Sequence, residues 1–187
     1  MKHLIVGLGN IGDEYRDTRH NIGFMILDAF AEASNISFST GRYGDVGQGR
    51  IKNQQVILLK PSTYMNLSGN AVRYWKEQEG VDIDNILILV DDIALPLGAI
   101  RIKGSGSDAG HNGLKNIAQM LGTQAYPRLR FGIGNDFPRG CQIDYVLGTF
   151  SPEEKTILKE RIPIAVEAIR ETVLAGLGRA MCSFNNK

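Results

Sequence analysis

The apolar residues of this chain fall into short unbroken runs and longer, spaced stripes. Residues 86–90 are apolar without alternation, which is typical of a strand buried on both faces. Apolar runs at 3–8 and 55–59 predict two further strands. Apolar residues recur at helical spacing in four other stretches, which predict helices over about 22–34, 66–79, 112–121 and from 151 onward.

Two segments alternate between apolar and charged positions. In 99–103 and again in 128–133, basic side chains lie opposite apolar ones, which predicts two strands with antiparallel pairing. The polar, glycine-rich stretch 41–49 predicts a hairpin or an irregular loop. Ser151 is expected to cap the last helix, and Pro163 should kink or divide it. Strands that alternate with helices in this way predict an α/β sandwich.

The composition excludes several classes of protein. Residues 1–187, of which 43% are hydrophobic and 22% charged, are expected to form a single globular domain. No apolar run is long enough for a signal peptide or a membrane span, and Cys141 and Cys182 fit no zinc or redox spacing. We therefore expect a cytoplasmic protein with reduced thiols. The net charge of +1 means that any contact with nucleic acid depends on a local basic patch.

Residues 7–23 combine a glycine turn with a histidine that is followed by a helix. The turn, GLGNIG, matches the G-x-G-x-x-G pattern of dinucleotide-binding proteins, which would make the chain an oxidoreductase. That pattern needs a helix whose amino end meets the pyrophosphate directly, whereas the polar segment 13–17 intervenes here. The ribose-binding acid is also missing from its expected place, because Asp28 lies inside the first predicted helix. A nucleotide cofactor is therefore the less favoured alternative.

Two histidines and two carboxylates are candidates for the chemistry. His20 and His111 each lie beside an asparagine in a glycine-punctuated turn, and Asp91 and Asp92 follow the central strand. They allow a metal site of two histidines and a carboxylate, although no closely spaced pair of ligands supports it. They also allow a metal-free site in which one imidazole is the general base and one carboxylate fixes its tautomer. Because no serine elbow or comparable cysteine is present, water is the expected nucleophile.

Other polar residues favour a substrate that contains peptide and phosphate groups. Asn10, Asn66 and Asn112 each lie at a turn or a helix start, where an asparagine either caps the helix or pairs with a peptide main chain. Lys103 and Arg130 lie on the charged sides of the alternating strands. They form either a solvated strand face or a phosphate clamp.

The chain closely resembles the bacterial peptidyl-tRNA hydrolase family in four ordered motifs, GLGNIGDEYRDTRHNIGF (7–24), KPSTYMNLSG (60–69), DDIALPLG (91–98) and GHNGLKNI (110–117). The resemblance implies a single-domain, three-layer α/β sandwich with a mixed central β-sheet flanked by helices. It implies hydrolysis of the ester between a peptide, or another N-blocked aminoacyl group, and the 3′ ribose of tRNA, which frees tRNA for translation. The implied enzyme is a cytoplasmic monomer that acts on peptidyl-tRNA without a cofactor, a metal or a membrane.

The resemblance also implies roles for particular residues. His20 is implied as the catalytic base, with Asp91 as its partner. Substrate binding is implied for Asn10, Tyr15, Met65, Asn66, His111 and Asn112. Lys103 and Arg130 fall where the family binds the 5′ phosphate of tRNA. The choice of Asp91 over Asp92 rests on the motif alone, because neighbours on a strand point in opposite directions.

The chain departs from the family pattern at two places. The family commonly has a further aspartate at the position of Ala94, and a more glycine-rich approach to His111 than Asp108-Ala109. Neither departure involves the implied catalytic pair. The alternative from another class of protein is a non-catalytic RNA-binding relative that uses the same basic face. An intact pair of base and carboxylate favours the enzyme over this relative.

Overall fold

The computed structural model describes residues 1–186. Within them the strands are β1 Lys2–Gly7, β2 Ser39–Gly41, β3 Gly44–Ile51, β4 Gln54–Pro61, β5 Ile86–Asp92, β6 Ile100–Lys103 and β7 Arg128–Gly132. The helices are α1 Ile22–Ala33, α2 Ser68–Glu79, α3 Asn112–Leu121, α4 Gln142–Val146, α5 Pro152–Ala175 and α6 Leu177–Phe184. Turns of 3₁₀ helix occupy Asp13–Tyr15, Arg19–Asn21, Met65–Leu67 and Ile83–Asn85.

All of these strands belong to one mixed sheet in the order β2-β3-β4-β1-β5-β7-β6. The four central strands β4, β1, β5 and β7 are parallel to one another. The strands β2, β3 and β6 pair antiparallel at the two sides. The hairpin expected near 41–49 and the antiparallel pairing of 99–103 with 128–133 are therefore confirmed. Because β1 and β5 are adjacent and parallel, their carboxyl ends open at the same edge of the sheet.

Helices cover both faces of the sheet and divide the core into two layers. The helices α1, α5 and α6 pack on one face, against side chains such as Ile5, Leu58 and Leu129. The helices α2 and α3 pack on the other face, against side chains such as Leu4 and Ile88. The three-layer α/β sandwich expected from the sequence is confirmed.

The longest helix, α5, runs through Pro163, where the sequence predicts a kink or a division. It continues without a break for 24 residues, and the chain leaves helical geometry only at Gly176. Division of the helix at Pro163 is wrong, because one missing N–H costs less than the burial of the apolar side chains on both sides of it. Among residues 1–186, no helix has both the length and the apolar character that crossing a membrane requires.

Strand β7 is buried more completely than its alternating sequence suggests. Arg128 is fully buried, so that the expected charged face of this strand does not reach solvent at that position. Its guanidinium donates hydrogen bonds to the main-chain oxygens of Gly106, Gln124 and Tyr126, and it lies 4.0 Å from the centre of the Tyr126 ring. Arg128 therefore connects the two loops that flank α3.

We expect Arg128→Met to lower the free energy of unfolding by about 3 kcal/mol, because it removes a fully buried guanidinium that donates to three main-chain oxygens. The matched control is Arg101→Met, which changes an exposed arginine on the neighbouring strand β6 and should cost less than about 0.5 kcal/mol. Urea unfolding followed by circular dichroism measures both changes. Equal losses for the two variants would contradict the role assigned to Arg128.

Candidate active site

The site lies where β1 and β5 end, and close packing of glycines brings its parts together. A side chain at Gly23, near the start of α1, would lie 2.5 Å from the Leu89 oxygen and 2.6 Å from the Leu8 nitrogen. A side chain at Gly7 would meet the Gly23 oxygen at 2.4 Å. The start of α1 thus rests directly on the ends of β1 and β5. The Arg19–Asn21 turn that precedes α1 therefore holds His20 beside the end of β5.

This packing also explains the glycine pattern that suggested a dinucleotide site. After Gly12 the chain forms a 3₁₀ turn, Asp13–Tyr15, and α1 begins only at Ile22. The helix therefore does not follow the glycine turn directly, as the dinucleotide-binding pattern requires. At Gly7, and at Gly23 on the helix, the absence of a side chain serves packing between helix and sheet.

His20 and Asp91 form a hydrogen-bonded pair. His20 Nδ1 lies 2.8 Å from Asp91 Oδ2, and the Asp91 side chain is only 3% exposed. Because a carboxylate only accepts hydrogen bonds, Nδ1 carries the ring proton and Nε2 keeps its lone pair. His20 remains part-exposed and lines the neighbouring cavity. This is the geometry of a histidine held ready to accept a proton at Nε2.

The second carboxylate oxygen of Asp91 is occupied by His111. His111 Nε2 lies 2.8 Å from Asp91 Oδ1. At the other side of the ring, Nδ1 accepts hydrogen bonds from the main-chain N–H groups of Gly113 and Leu114, so that His111 caps α3. Those two bonds fix the ring proton on Nε2, from which it is donated to Asp91.

The ionisation of Asp91 follows from its two imidazole partners. Burial raises the pKa of the Asp91 carboxyl, but electrostatic attraction to His111 and His20 and the hydrogen bonds from them together outweigh burial and hold that pKa well below its usual range. Asp91 is therefore an anion at neutral pH. A buried anion that accepts from both rings keeps each ring in one tautomer and one orientation.

Among the histidine, cysteine and carboxylate side chains of residues 1–186, these three lie close enough together to hold a metal ion. Their ligand atoms lie within 4.8 Å of one another. A metal on His111 Nε2 would need the lone pair there and a proton on Nδ1. The two main-chain donors at Nδ1 oppose that tautomer. The hydrogen-bond pattern therefore favours the metal-free interpretation of the cluster.

The carboxyl of Asp92 binds groups other than His20. Its Oδ1 accepts from the main-chain N–H of Ala94, and its Oδ2 lies 3.5 Å from an Arg130 nitrogen. Arg130 also donates to the Ser107 oxygen at 2.8 Å. Asp92 thus fixes Arg130 at the border of the cavity, while Asp91 faces the histidines.

A cavity of about 470 Å³ opens in front of the His20–Asp91 pair. One wall is the turn before α2, with Tyr64, Met65 and Asn66, and another is the segment that leads into α3. The third wall is α4 and the residue that follows it, including the apolar side chains Ile143 and Leu147. Tyr64 and Ile143 are 66% and 72% exposed, so the entrance is apolar at its rim.

The three predicted asparagines all line this cavity. Asn10 accepts a hydrogen bond from the Met65 main-chain N–H at 2.9 Å, and Asn21 fixes the Asn10 main chain with one bond in each direction. Asn66 and Asn112 are exposed, and neither forms a side-chain hydrogen bond with another residue in 1–186. Capping is therefore not their role; the cap of α3 is His111.

The structure does not bring every expected residue to the cavity. Tyr15 lies in the 3₁₀ turn Asp13–Tyr15 and is absent from the cavity lining. Lys103 is exposed on β6, outside the lining, whereas Arg130 is part of it. The wall formed by α4 was not expected from the sequence. A five-residue helix is too short to display a periodic stripe, so the pattern of 141–147 offered no indication of it.

Comparisons with known proteins agree with this geometry. The family model described as peptidyl-tRNA hydrolase matches residues 4–187. A peptidyl-tRNA hydrolase of Phocaeicola vulgatus is 62% identical over 187 residues, which is 100% of both chains. That of Porphyromonas gingivalis is 56% identical over 185 residues, covering 99% of this chain and 100% of its own.

A solved structure shows the same fold over nearly the whole chain. The crystal structure of peptidyl-tRNA hydrolase from Acinetobacter baumannii superposes with a TM-score of 0.93 at 34% identity, covering 98% of this chain and 94% of its own. Together with the match to the family model, this shows that the chain belongs to the peptidyl-tRNA hydrolase family.

Proposed function

We propose that His20 and Asp91 carry the reaction of this enzyme, the hydrolysis of the ester between a peptide and the 3′ ribose of tRNA. The observation that carries the proposal is the 2.8 Å bond from His20 Nδ1 to the buried Asp91 carboxylate, which leaves Nε2 free beside the cavity. A water held at Nε2 loses a proton to the imidazole as its oxygen attacks the ester carbonyl. Asp91 stabilises the imidazolium that forms.

The second half of the reaction uses the same proton. The tetrahedral intermediate collapses by breaking the bond between the carbonyl carbon and the ribose 3′ oxygen, and the imidazolium returns a proton to that oxygen. The products are a peptide acid and a tRNA with a free 3′ hydroxyl. No step needs a metal, because water is activated by the imidazole and the developing charge can be met by N–H donors.

We propose that the free amides of Asn66 and Asn112, together with Asn10, bind the main chain of the peptide. An amide side chain offers one donor and one acceptor group, as a peptide unit does. Such pairing ignores side chains, which suits an enzyme whose substrates vary in peptide sequence. Met65 and His111 also line the cavity, in support of the substrate contacts expected for them. Tyr15 contributes only if its turn moves toward the cavity when substrate binds.

Lys103 and Arg130 are proposed to bind a phosphate of the tRNA. Lys103 lies on the edge strand β6 and Arg130 on β7, the strand that pairs with it, in a chain of almost neutral net charge. Lys103 is exposed, and Arg130 is held by Asp92 and the Ser107 oxygen. A guanidinium fixed in this way needs little further ordering before it meets a phosphate. The expected monomer and the cytoplasmic location stay predictions.

Replacing His20 by alanine should lower kcat by about 10²–10⁴-fold, because general-base catalysis contributes that much. The measurement is release of the acyl group from an N-blocked aminoacyl-tRNA, with the melting temperature as the control for folding. A variant that melts like the parent and keeps more than about half of its kcat would refute the role of His20.

Asp91→Asn should lower kcat far more than Asp92→Asn, by about 10²-fold or more, in line with other His–Asp pairs. An asparagine has only one acceptor oxygen, so it cannot accept from both His20 and His111. Asp92→Asn keeps an oxygen for the Ala94 N–H and weakens only the contact with Arg130. The two variants are compared by kcat on the same substrate, with and without a chelator. The reverse ranking, or activity restored by added metal, would contradict the mechanism.

Lys103→Ala should raise the KM for full peptidyl-tRNA and change kcat less, as loss of uniform binding does. The slope of log(kcat/KM) against log salt should flatten by about 0.7–0.9, the contribution of one phosphate contact. A peptidyl ester of adenosine, which lacks the tRNA body, should not respond. Arg130→Ala should have the same effects, although it also releases Asp92 and the Ser107 loop.

The matched control for Lys103 is Lys52→Ala. Lys52 lies in the turn between β3 and β4, toward the opposite side of the sheet from β6, and it is exposed. It should leave KM and the salt slope unchanged. If Lys103→Ala lowers kcat/KM equally on the short ester and on full peptidyl-tRNA, Lys103 belongs to the cleft and the phosphate clamp is refuted.

A further inference from the structure

Arg19, directly before the proposed base, is held through both of its terminal nitrogens and through the face of its guanidinium. One of its terminal nitrogens donates to the Tyr145 main-chain oxygen at 3.1 Å, and the other lies 2.8 Å from Glu154 Oε1. The guanidinium carbon lies 4.2 Å from the centre of the Tyr145 ring. The Arg19 side chain is 14% exposed and that of Glu154 21%, so the ion pair is largely withdrawn from water.

These contacts join two segments that are distant in sequence. The main-chain N–H of Arg19 donates to the Gly148 oxygen at 2.9 Å, and Thr18 forms an isolated antiparallel bridge with Thr149. At the start of α5, the Glu154 oxygen that pairs with Arg19 also accepts a hydrogen bond from the Ser151 N–H, which completes the cap of this helix. The turn that carries His20 is therefore fastened to the rigid amino end of α5.

The fastened segment includes one wall of the cavity. Ile143, Val146 and Leu147 line the cavity, and Tyr145 lies among them with its hydroxyl donating to the Ile133 oxygen at 2.6 Å. The guanidinium binds Tyr145 on its ring face and at its carbonyl. Movement of Arg19 would thus displace both the proposed base and the α4 wall of the cavity.

We propose that Arg19 is a positioning residue for hydrolysis, which holds His20 and the α4 wall at a fixed separation. The inference rests on the proposed role of His20 as the base. The bond to Asp91 fixes one nitrogen of the His20 ring, but the placement of Nε2 also depends on where the main chain of the turn lies. Because a misplacement of about 1 Å can cost about 10²-fold in rate, a strong tie at the neighbouring residue has a kinetic consequence.

Arg19→Ala should lower kcat at least tenfold on both full peptidyl-tRNA and a peptidyl ester of adenosine, and change the KM for full peptidyl-tRNA less than twofold. Loss of the phosphate clamp should do the opposite, because it should raise KM and change kcat less. The matched control is Arg16→Ala, which removes an arginine of the same loop whose side chain is 73% exposed and pairs with exposed Asp13. Its kcat should stay within twofold of the parent enzyme. Added guanidinium ion, at tens of millimolar, should restore part of the kcat of Arg19→Ala and leave Arg16→Ala unchanged.

A spectroscopic readout separates positioning from stability. The proton on His20 Nδ1, bonded to Asp91, is followed by NMR, and its assignment is made by its loss in His20→Ala. It should shift or broaden in Arg19→Ala at a temperature where the variant is fully folded, and stay in place in Arg16→Ala. An unshifted proton with a parental kcat, or a loss of kcat that only follows the melting temperature without guanidinium rescue, would overturn the proposal.

If Arg19→Ala does not fold, Arg19→Lys takes its place in every measurement. A lysine keeps a charge for Glu154 but cannot also reach the Tyr145 oxygen and stack on its ring. A lowered kcat in the folded lysine variant supports positioning, and a parental kcat overturns it. If His20→Ala itself stays active, the base assignment fails. If His20→Ala is inactive and the Arg19 variant is fully active, only the positioning role of Arg19 is refuted.

Discussion

The buried negative charge of Asp91 is the constraint on which the site depends. A carboxylate with a 3% exposed side chain has lost almost all of its hydration, and it remains ionised only because two imidazole rings donate to its two oxygens. Each partner is then constrained in turn. His20 must carry its proton on Nδ1, and His111 must carry its proton on Nε2. The ionised carboxylate of Asp91 thus determines which nitrogen of each histidine carries the ring proton.

The fold satisfies this constraint with main-chain packing. Asp91 lies in β5, flanked by the parallel strands β1 and β7, and so it cannot move far. His20 reaches it because Gly7 and Gly23 let α1 begin against the strand ends. His111 reaches it because the main-chain N–H groups at the start of α3 bind the other ring nitrogen and so orient the ring. The three side chains are thus held at the ends of β5, α1 and α3, and rigid elements of this kind keep a site geometry precise.

The sequence predicted most of this architecture, since its long periodic segments became helices and its apolar runs became central strands. It also predicted the residues around His20 and Asp91, because glycine turns and the order of four motifs are local features. It did not predict that Arg128 is buried, because a strand that alternates in charge has the same pattern whether loops cover it or water does. It did not predict α4, which is too short to show a periodic stripe. It did not predict the contacts of Arg19 either, because their partners lie more than 120 positions away.

These unpredicted residues share one physical property. Arg128 and Arg19 are both withdrawn from water, and both bind main-chain oxygens of segments that border the cavity. Arg128 holds the loop that precedes His111, and Arg19 holds α4. A guanidinium suits this task because its planar fork of donors binds several carbonyls at once, and its face stacks on a tyrosine in each case.

The central carboxylate thus fixes the two histidines, and two arginines at the periphery fix the cavity walls around them. In the mechanism that we propose, the catalytic centre and its walls therefore depend on each other: Asp91 holds the two histidines, and Arg19 holds the turn that carries His20 against the α4 wall.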